Sequence, residues 1–205
     1  MSDRAHSVIV LDFETTGMSP HYGDRVIEVG AVRIEAGEIV ARFQGLMNPG
    51  IRINSFIESY TGITNAMVAD APPCAEVMSE LKPFIGDTPV VAHNSAFDQR
   101  FLMAEWQRLK IPCDNPFACS MLTARRIYPE APNHKLGTLV AYNQLQNDGV
   151  FHRALADAEM TALLWLHMLH KIEQNFAVRG MRFSTMQKLA KVSKTSVDKF
   201  FAQLA

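Results

Sequence analysis

Residues 8–17, VIVLDFETTG, constrain the fold more than any other stretch of the chain. Val8, Ile9, Val10, Leu11 and Phe13 run into a turn of small polar residues, and Asp12 and Glu14 sit at the end of the run. On a β-strand the side chains alternate, so Val8, Val10, Asp12 and Glu14 share one face while Ile9, Leu11 and Phe13 share the other. Two carboxylates on one face of a buried strand repel each other. They must take up protons or be held ionised by a bound cation. Taken alone, a D-x-E pair is as well explained by an acidic strand end facing water, so the rest of the chain has to decide.

The chain has 205 residues, enough for one domain with a full core and a short appendage. With 48% hydrophobic and 20% charged residues it has the composition of a soluble globular protein. No apolar run is long enough to span a bilayer and MSDRAHS at the start lacks a signal-peptide core, so a cytoplasmic location is expected. Cys74, Cys113 and Cys119 lack metal-ligand spacing and read as reduced thiols. The net charge of −1 gives no global argument for a nucleic-acid partner, but the charge is uneven. Residues 176–205 carry six cations (Arg179, Arg182, Lys188, Lys191, Lys194, Lys199) against Asp198, which leaves an acidic body and a basic tail.

Taken in order, the periodicity predicts strands at 26–34 and 39–47 joined by the turn 35–38, so the first three strands form an antiparallel meander. Helical segments are predicted at 55–60, 64–69 and 73–84, a short strand at 89–92, and a helix at 95–109. A strand at 117–120 leads into a helix ending near Tyr128, followed by helices at 136–145 and 154–172. Two apolar-periodic pieces follow in the tail. Three antiparallel strands and then strands alternating with helices imply an α/β fold with a mixed sheet and helices packed on it. The domain boundaries expected are 1–175 for the main domain and 176–205 for a basic helical appendage.

Two further acids join the first pair. Asp98 falls in the first turn of a predicted helix, and Asp157 falls near the start of the longest one, with His152 just before it. Either acid alone is explained by a favourable helix dipole.

Together they match a family. The chain resembles the DEDDh (DnaQ-like) 3′–5′ exonucleases through DFETTG at 12–17, IEVGAV at 27–32, TGIT at 61–64, HNSAFDQRFL at 93–102, HKLGTL at 134–139 and HRALADA at 152–158. It is similar to the proofreading exonucleases of the DNA polymerase III epsilon type. The resemblance implies a ribonuclease-H-like fold. It implies that Asp12, Glu14, Asp98 and Asp157 hold two divalent cations, Mg2+ or Mn2+, and that His152 is the general base. Two such ions roughly 3.5–4 Å apart stabilise both the attacking and leaving oxygens of a phosphodiester, and carboxylate oxygens are the donors they prefer. An imidazole has a pKa near the working pH. The sister class has a tyrosine four residues before the last aspartate; Arg153 stands there, which favours the histidine class.

The resemblance also implies substrate contacts at Phe13, Thr15 and Thr16 beside the metals, at Tyr60 or Thr61 near the terminal bases, and at Asn94. Many relatives carry His where Thr61 stands. The expected partner is the 3′ end of single-stranded DNA or RNA, with a polymerase or a second copy engaged through the tail. The readings carried forward are a 3′–5′ exonuclease on single-stranded DNA that releases nucleoside 5′-monophosphates, an exoribonuclease trimming RNA 3′ ends, and a non-catalytic polymerase- or nucleic-acid-binding module.

Overall fold

A computed structural model describes residues 3–146 and 152–204. Five strands, β1 (Val8–Thr15), β2 (Val26–Glu35), β3 (Glu38–Leu46), β4 (Val90–Ala92) and β5 (Phe117–Cys119), form one sheet in the order β3-β2-β1-β4-β5. β1, β2 and β3 pair antiparallel, and β4 and β5 then run parallel to β1. This is the meander followed by parallel strands that the sequence order implies, and the ribonuclease-H-like architecture.

Nine helices surround the sheet among the described residues: α1 (Ser55–Thr61), α2 (Asn65–Ala69), α3 (Cys74–Ile85), α4 (Ala96–Arg108), α5 (Ser120–Ile127), α6 (Leu136–Tyr142), α7 (Ala154–Phe176), α8 (Phe183–Leu189) and α9 (Val197–Ala202). The loop after β1 contains one turn of 3-10 helix, Pro20–Tyr22.

The alternation along β1 sorts its residues onto two cores. Val8 and Val10 join Val32, Ile34, Val91 and the apolar side of α7 in the larger core. Ile9, Leu11 and Phe13 join Val29, Ala31 and the apolar sides of α3 and α4 in the second. Both faces of β1 are therefore covered, and Asp12 and Glu14 extend from the α7 side where the covering helix begins.

The basic tail is built into the larger core. Phe183, Met186, Leu189, Val197 and Phe201 are buried there, and the Phe176 and Phe201 rings stack at 4.0 Å. Tail and amino terminus are bonded to each other: Ala5 N–H donates to the Met181 carbonyl at 2.9 Å and Phe183 N–H to the Asp3 carbonyl at 3.1 Å. The Gln187 side chain donates to the Phe117 carbonyl of the edge strand at 2.7 Å, which covers part of that edge.

Candidate active site

The site lies where β1 outruns its parallel neighbour. β4 pairs with β1 only at Ile9↔Val90 and Val10↔Val91, so the Phe13 N–H has no strand partner on that side. Asp98, buried in the first turn of α4, supplies one: its Oδ1 accepts the Phe13 N–H at 3.2 Å. A carboxylate thus replaces the missing strand and is brought beside Asp12. Neither Asn94 nor Ser95 caps α4 through its side chain; Asn94 takes the left-handed conformation (φ 76°) that turns the chain from β4 towards the helix.

On the other face, Gly30 lies opposite Asp12 in the β1–β2 register. A Cβ at Gly30 would run into the backbone of Ala154 and Leu155, so this glycine is what lets the start of α7 rest directly on the sheet. That contact brings Asp157, in the first turn of α7, towards the strand acids. Glu14, His152 and Asp157 each present a ligand atom within 4.8 Å of the others. The His152 N–H donates to Asp157 Oδ2 at 3.0 Å, and His152 itself is left-handed (φ 63°), a strained conformation for a residue with a Cβ.

Glu28, opposite Glu14 in the register, is fully buried and bound from three directions. It accepts the Ala154 N–H at 3.0 Å, two bonds from Arg153 at 3.1 and 2.7 Å, and the Gln44 amide at 3.0 Å. Burial pushes its pKa up, but Arg153, the Ala154 N–H and Gln44 together bring it below the ordinary carboxylate value. Arg153, at the sister-class tyrosine position, is thus committed to an ion pair.

The four acids are the opposite case. Among the described residues none of them forms an ion pair with Lys or Arg. Burial, followed by Asp98, Asp157, Glu14 and Glu28, raises Asp12 well above its ordinary value. Burial, with Asp157 and Glu28, pushes Glu14 up to about 8. Burial also pushes Asp98 up to about 8 against the lowering effect of the N–H groups it accepts. Asp157 is raised by burial, less strongly because the His152 N–H favours its ionised form. Four crowded oxygen donors without a counter-cation are the donor set a hard divalent ion fits.

The carboxylates open into two connected recesses. One, about 490 Å3, is walled by Phe13, Thr15, Met18, Phe56, Tyr60 and Phe97 together with the four acids. The other, about 750 Å3, runs from Asp12, Asp157 and His152 past His93 and Asn94 to Met121 and residues 135–138. Tyr60 stands at the mouth of both, its ring 4.2 Å from that of His152 and stacked on Phe56 at 6.0 Å.

The remaining predicted contacts are placed less directly. Thr15 and Thr61 line the first recess, but their hydroxyls are bonded to backbone: Thr15 donates to the Gly17 carbonyl at 2.6 Å, and Thr61 donates to the Ile57 carbonyl at 2.9 Å. Thr16 turns away, accepting the Arg25 N–H at 3.0 Å in the loop before β2. Phe56, Met18 and Lys135 were not singled out from sequence. For Lys135 the signal was available in HKLGTL, which places a cation before a predicted helix.

A sheet of this topology with four crowded carboxylates converging beside a histidine defines a ribonuclease-H-like nuclease of the DEDDh class. The family model described as "Exonuclease" matches residues 9–165, and the chain belongs to that family, in its DnaQ-like 3′–5′ branch. The family implies divalent metal ions. The chain is 39% identical over 177 residues to the PolC-type DNA polymerase III of Bacillus subtilis, covering 85% of this chain and 12% of that protein. It is 36% identical over 188 residues to the 3′–5′ exonuclease DinG of the same organism, covering 91% of this chain and 19% of that one. The chain therefore spans about an eighth of the length of its PolC-type relatives. Among solved structures it resembles exonuclease X in complex with 5′ overhanging duplex DNA (25% identity, TM-score 0.70, 89% of this chain and 99% of that one). It also shares its fold with the nuclease domain of 3′hExo, a DEDDh family member, bound to rAMP (21% identity, TM-score 0.69, 83% and 94%). Among the described residues no helix is long and apolar enough to cross a membrane.

Proposed function

We propose that this chain hydrolyses the terminal phosphodiester at the 3′ end of single-stranded DNA and releases nucleoside 5′-monophosphates. The observation that carries this reading is the convergence of Asp12, Glu14, Asp98 and Asp157 on one cleft with His152 tied to Asp157. In it these four carboxylates hold two divalent ions, Mg2+ or Mn2+, which when bound supply charge neutralisation at the attacking and leaving oxygens.

The chain's own residues do the rest. His152, whose backbone N–H is tied to Asp157, accepts the proton of the attacking water through its imidazole. Tyr60 closes one side of the imidazole and offers its exposed face, with Phe56, for stacking of a terminal base. Phe13 and Phe97 floor the apolar recess beside the acids. Asn94, held in the left-handed conformation, borders both recesses. The curated relatives bear names of DNA replication and exonuclease proteins, which supports DNA as the substrate.

Digestion of 5′-labelled and 3′-labelled oligonucleotides, DNA and RNA in parallel, tests the reading. The expected result is stepwise release of 5′-monophosphates from the 3′ end of single-stranded DNA, supported by Mg2+ or Mn2+, stopped by EDTA and lost in Asp12→Ala. Faster release from RNA would transfer the assignment to an exoribonuclease, and no release from either polymer would leave a binding module.

A further inference from the structure

The larger recess continues well beyond the carboxylates and ends against a wall that the reaction itself does not require. Residues 135–138 form that wall, and Lys135 is exposed at its rim. Among the described residues lining the recess Lys135 is the one fixed cation, and no carboxylate lies within ion-pair distance of it. Three arginines elsewhere are engaged in ion pairs: Arg153 with Glu28, and Arg25 and Arg108 with Glu105.

The wall is also held in place. His93, where β4 ends, bonds through Nδ1 to the Ser120 hydroxyl and through Nε2 to the His134 carbonyl, both at 2.9 Å. Burial pushes the His93 imidazole down to about 4, so it is neutral and carries one ring proton. The His134 carbonyl can only accept, which puts that proton on Nε2 and makes Nδ1 the acceptor for Ser120. His134 bonds in turn to the Tyr128 carbonyl at 3.0 Å, and the Lys135 N–H to Asn133 Oδ1 at 2.9 Å. The backbone carrying Lys135 is thus braced from the end of β4, one residue from Asn94 and five from Asp98.

We propose that Lys135 binds a backbone phosphate of the substrate strand upstream of the scissile linkage, with His93 as the positioning residue that braces it. This rests on the substrate reading above. A strand whose terminal nucleotide occupies the apolar recess leaves the carboxylates along the larger one. There an acidic body offers no attraction, so a single fixed cation on an otherwise uncharged wall is a phosphate ligand by its chemistry.

The test is kinetic and uses the full chain with Mg2+. Oligo-dT substrates carry one uncharged methylphosphonate, moved in turn through the three linkages upstream of the scissile one. In the native protein one position costs about tenfold in kcat/KM, the value of one charge-assisted contact. In Lys135→Gln the loss appears with the unmodified strand, in KM rather than kcat, and the methylphosphonate at that position adds nothing. The log–log salt slope of kcat/KM becomes shallower by about 0.7. Lys135→Arg restores both the affinity and the sensitivity to that linkage. Equal further losses in the native protein and Lys135→Gln at every linkage would overturn the proposal while leaving the exonuclease reading intact. Failure of the native protein to process any unmodified oligonucleotide would overturn the substrate reading and this one with it.

Discussion

The Glu28 carboxylate accepts the Ala154 N–H at 3.0 Å across a separation of 126 residues, tying the second strand to the first turn of the longest helix. Because Asp157 rises from that turn and Glu28 faces Glu14 in the register, this bond sets how closely two of the acids approach. Glu28→Ala leaves a buried N–H and the Arg153 guanidinium without their acceptor, and should cost about 2–4 kcal/mol. Glu28→Gln keeps an acceptor for the N–H and should cost less. Urea denaturation measures the stability, and the activity loss should follow the same order.

Gly30 answers to the same contact from the strand side. A methyl group there meets backbone atoms of Ala154 and Leu155, which have no rotamer with which to yield. Gly30→Ala should therefore push the start of α7 off the sheet, at about 1–3 kcal/mol for overpacking. A displacement of Asp157 by about 1 Å should lower kcat by about a hundredfold. A variant with native turnover would mean that the helix can shift without moving its carboxylate.

These two residues mark what the sequence made legible and what it did not. The face-sharing of Asp12 and Glu14 followed from alternation within one strand, and β1 shows that alternation in the division of its apolar residues between the two cores. The antiparallel meander followed by strands alternating with helices was also readable, since hairpin turns and strand–helix alternation are local signals. Contacts between distant segments were not. Asp98 looked like a dipole residue of α4, and nothing near it in sequence says that it completes the hydrogen bonding of Phe13, 85 residues away. Thr15, Thr16 and Thr61 were named as substrate contacts through the resemblance alone, and the hydrogen bonds their hydroxyls make, to the Gly17 carbonyl, the Arg25 N–H and the Ile57 carbonyl, could not be read from the motif. Gly30 sat unnoticed inside IEVGAV, because the need for a glycine arises only once α7 lies on it.

The crowded acids give the stability a pH dependence whose sign can be worked out. Glu14 and Asp98 have ordinary values of 4.5 and 3.8 and are pushed up to about 8 in the folded chain without metal. A carboxyl raised on folding binds its proton more tightly in the native state. Its favourable contribution is complete below the unfolded value and is lost as the pH rises through the folded one. The Tm of the metal-free protein should fall between about pH 5 and about pH 9. Mg2+ or Mn2+ binds only the ionised acids, so the rise in Tm on adding metal should grow over the same interval. Scanning calorimetry with EDTA and with metal at several pH values checks both trends; a metal effect independent of pH would contradict the assignment.

Asp98→Asn separates the two roles of that side chain. The amide oxygen can still accept the Phe13 N–H, while the charge that burial disfavours is gone. The metal-free variant should match or exceed the native protein in Tm at alkaline pH. If Asp98 is one of the proposed metal-holding carboxylates, turnover should fall by at least about a hundredfold. A variant both stable and active would remove Asp98 from the proposed metal set.

The basic tail needs a test that respects its packing. Phe201 is 1% exposed and stacked on Phe176, so Phe201→Ala should cost about 3–5 kcal/mol. Removal of 176–205 would also strip Phe183, Met186 and Leu189 from the larger core. A truncation would therefore lose nucleic-acid binding by unfolding whether or not its cations touch a strand. Lys188, Lys191, Lys194 and Lys199 offer the cleaner comparison, since changing all four to Gln removes charge and leaves the buried apolar residues in place. If the tail tracks phosphates, the salt slope of oligonucleotide binding should become shallower by about 0.7 for each lysine engaged, with the Tm little changed. An unchanged slope would restrict the tail to its part in the core and leave the cleft cation, Lys135, as the chain's own electrostatic contact with the strand.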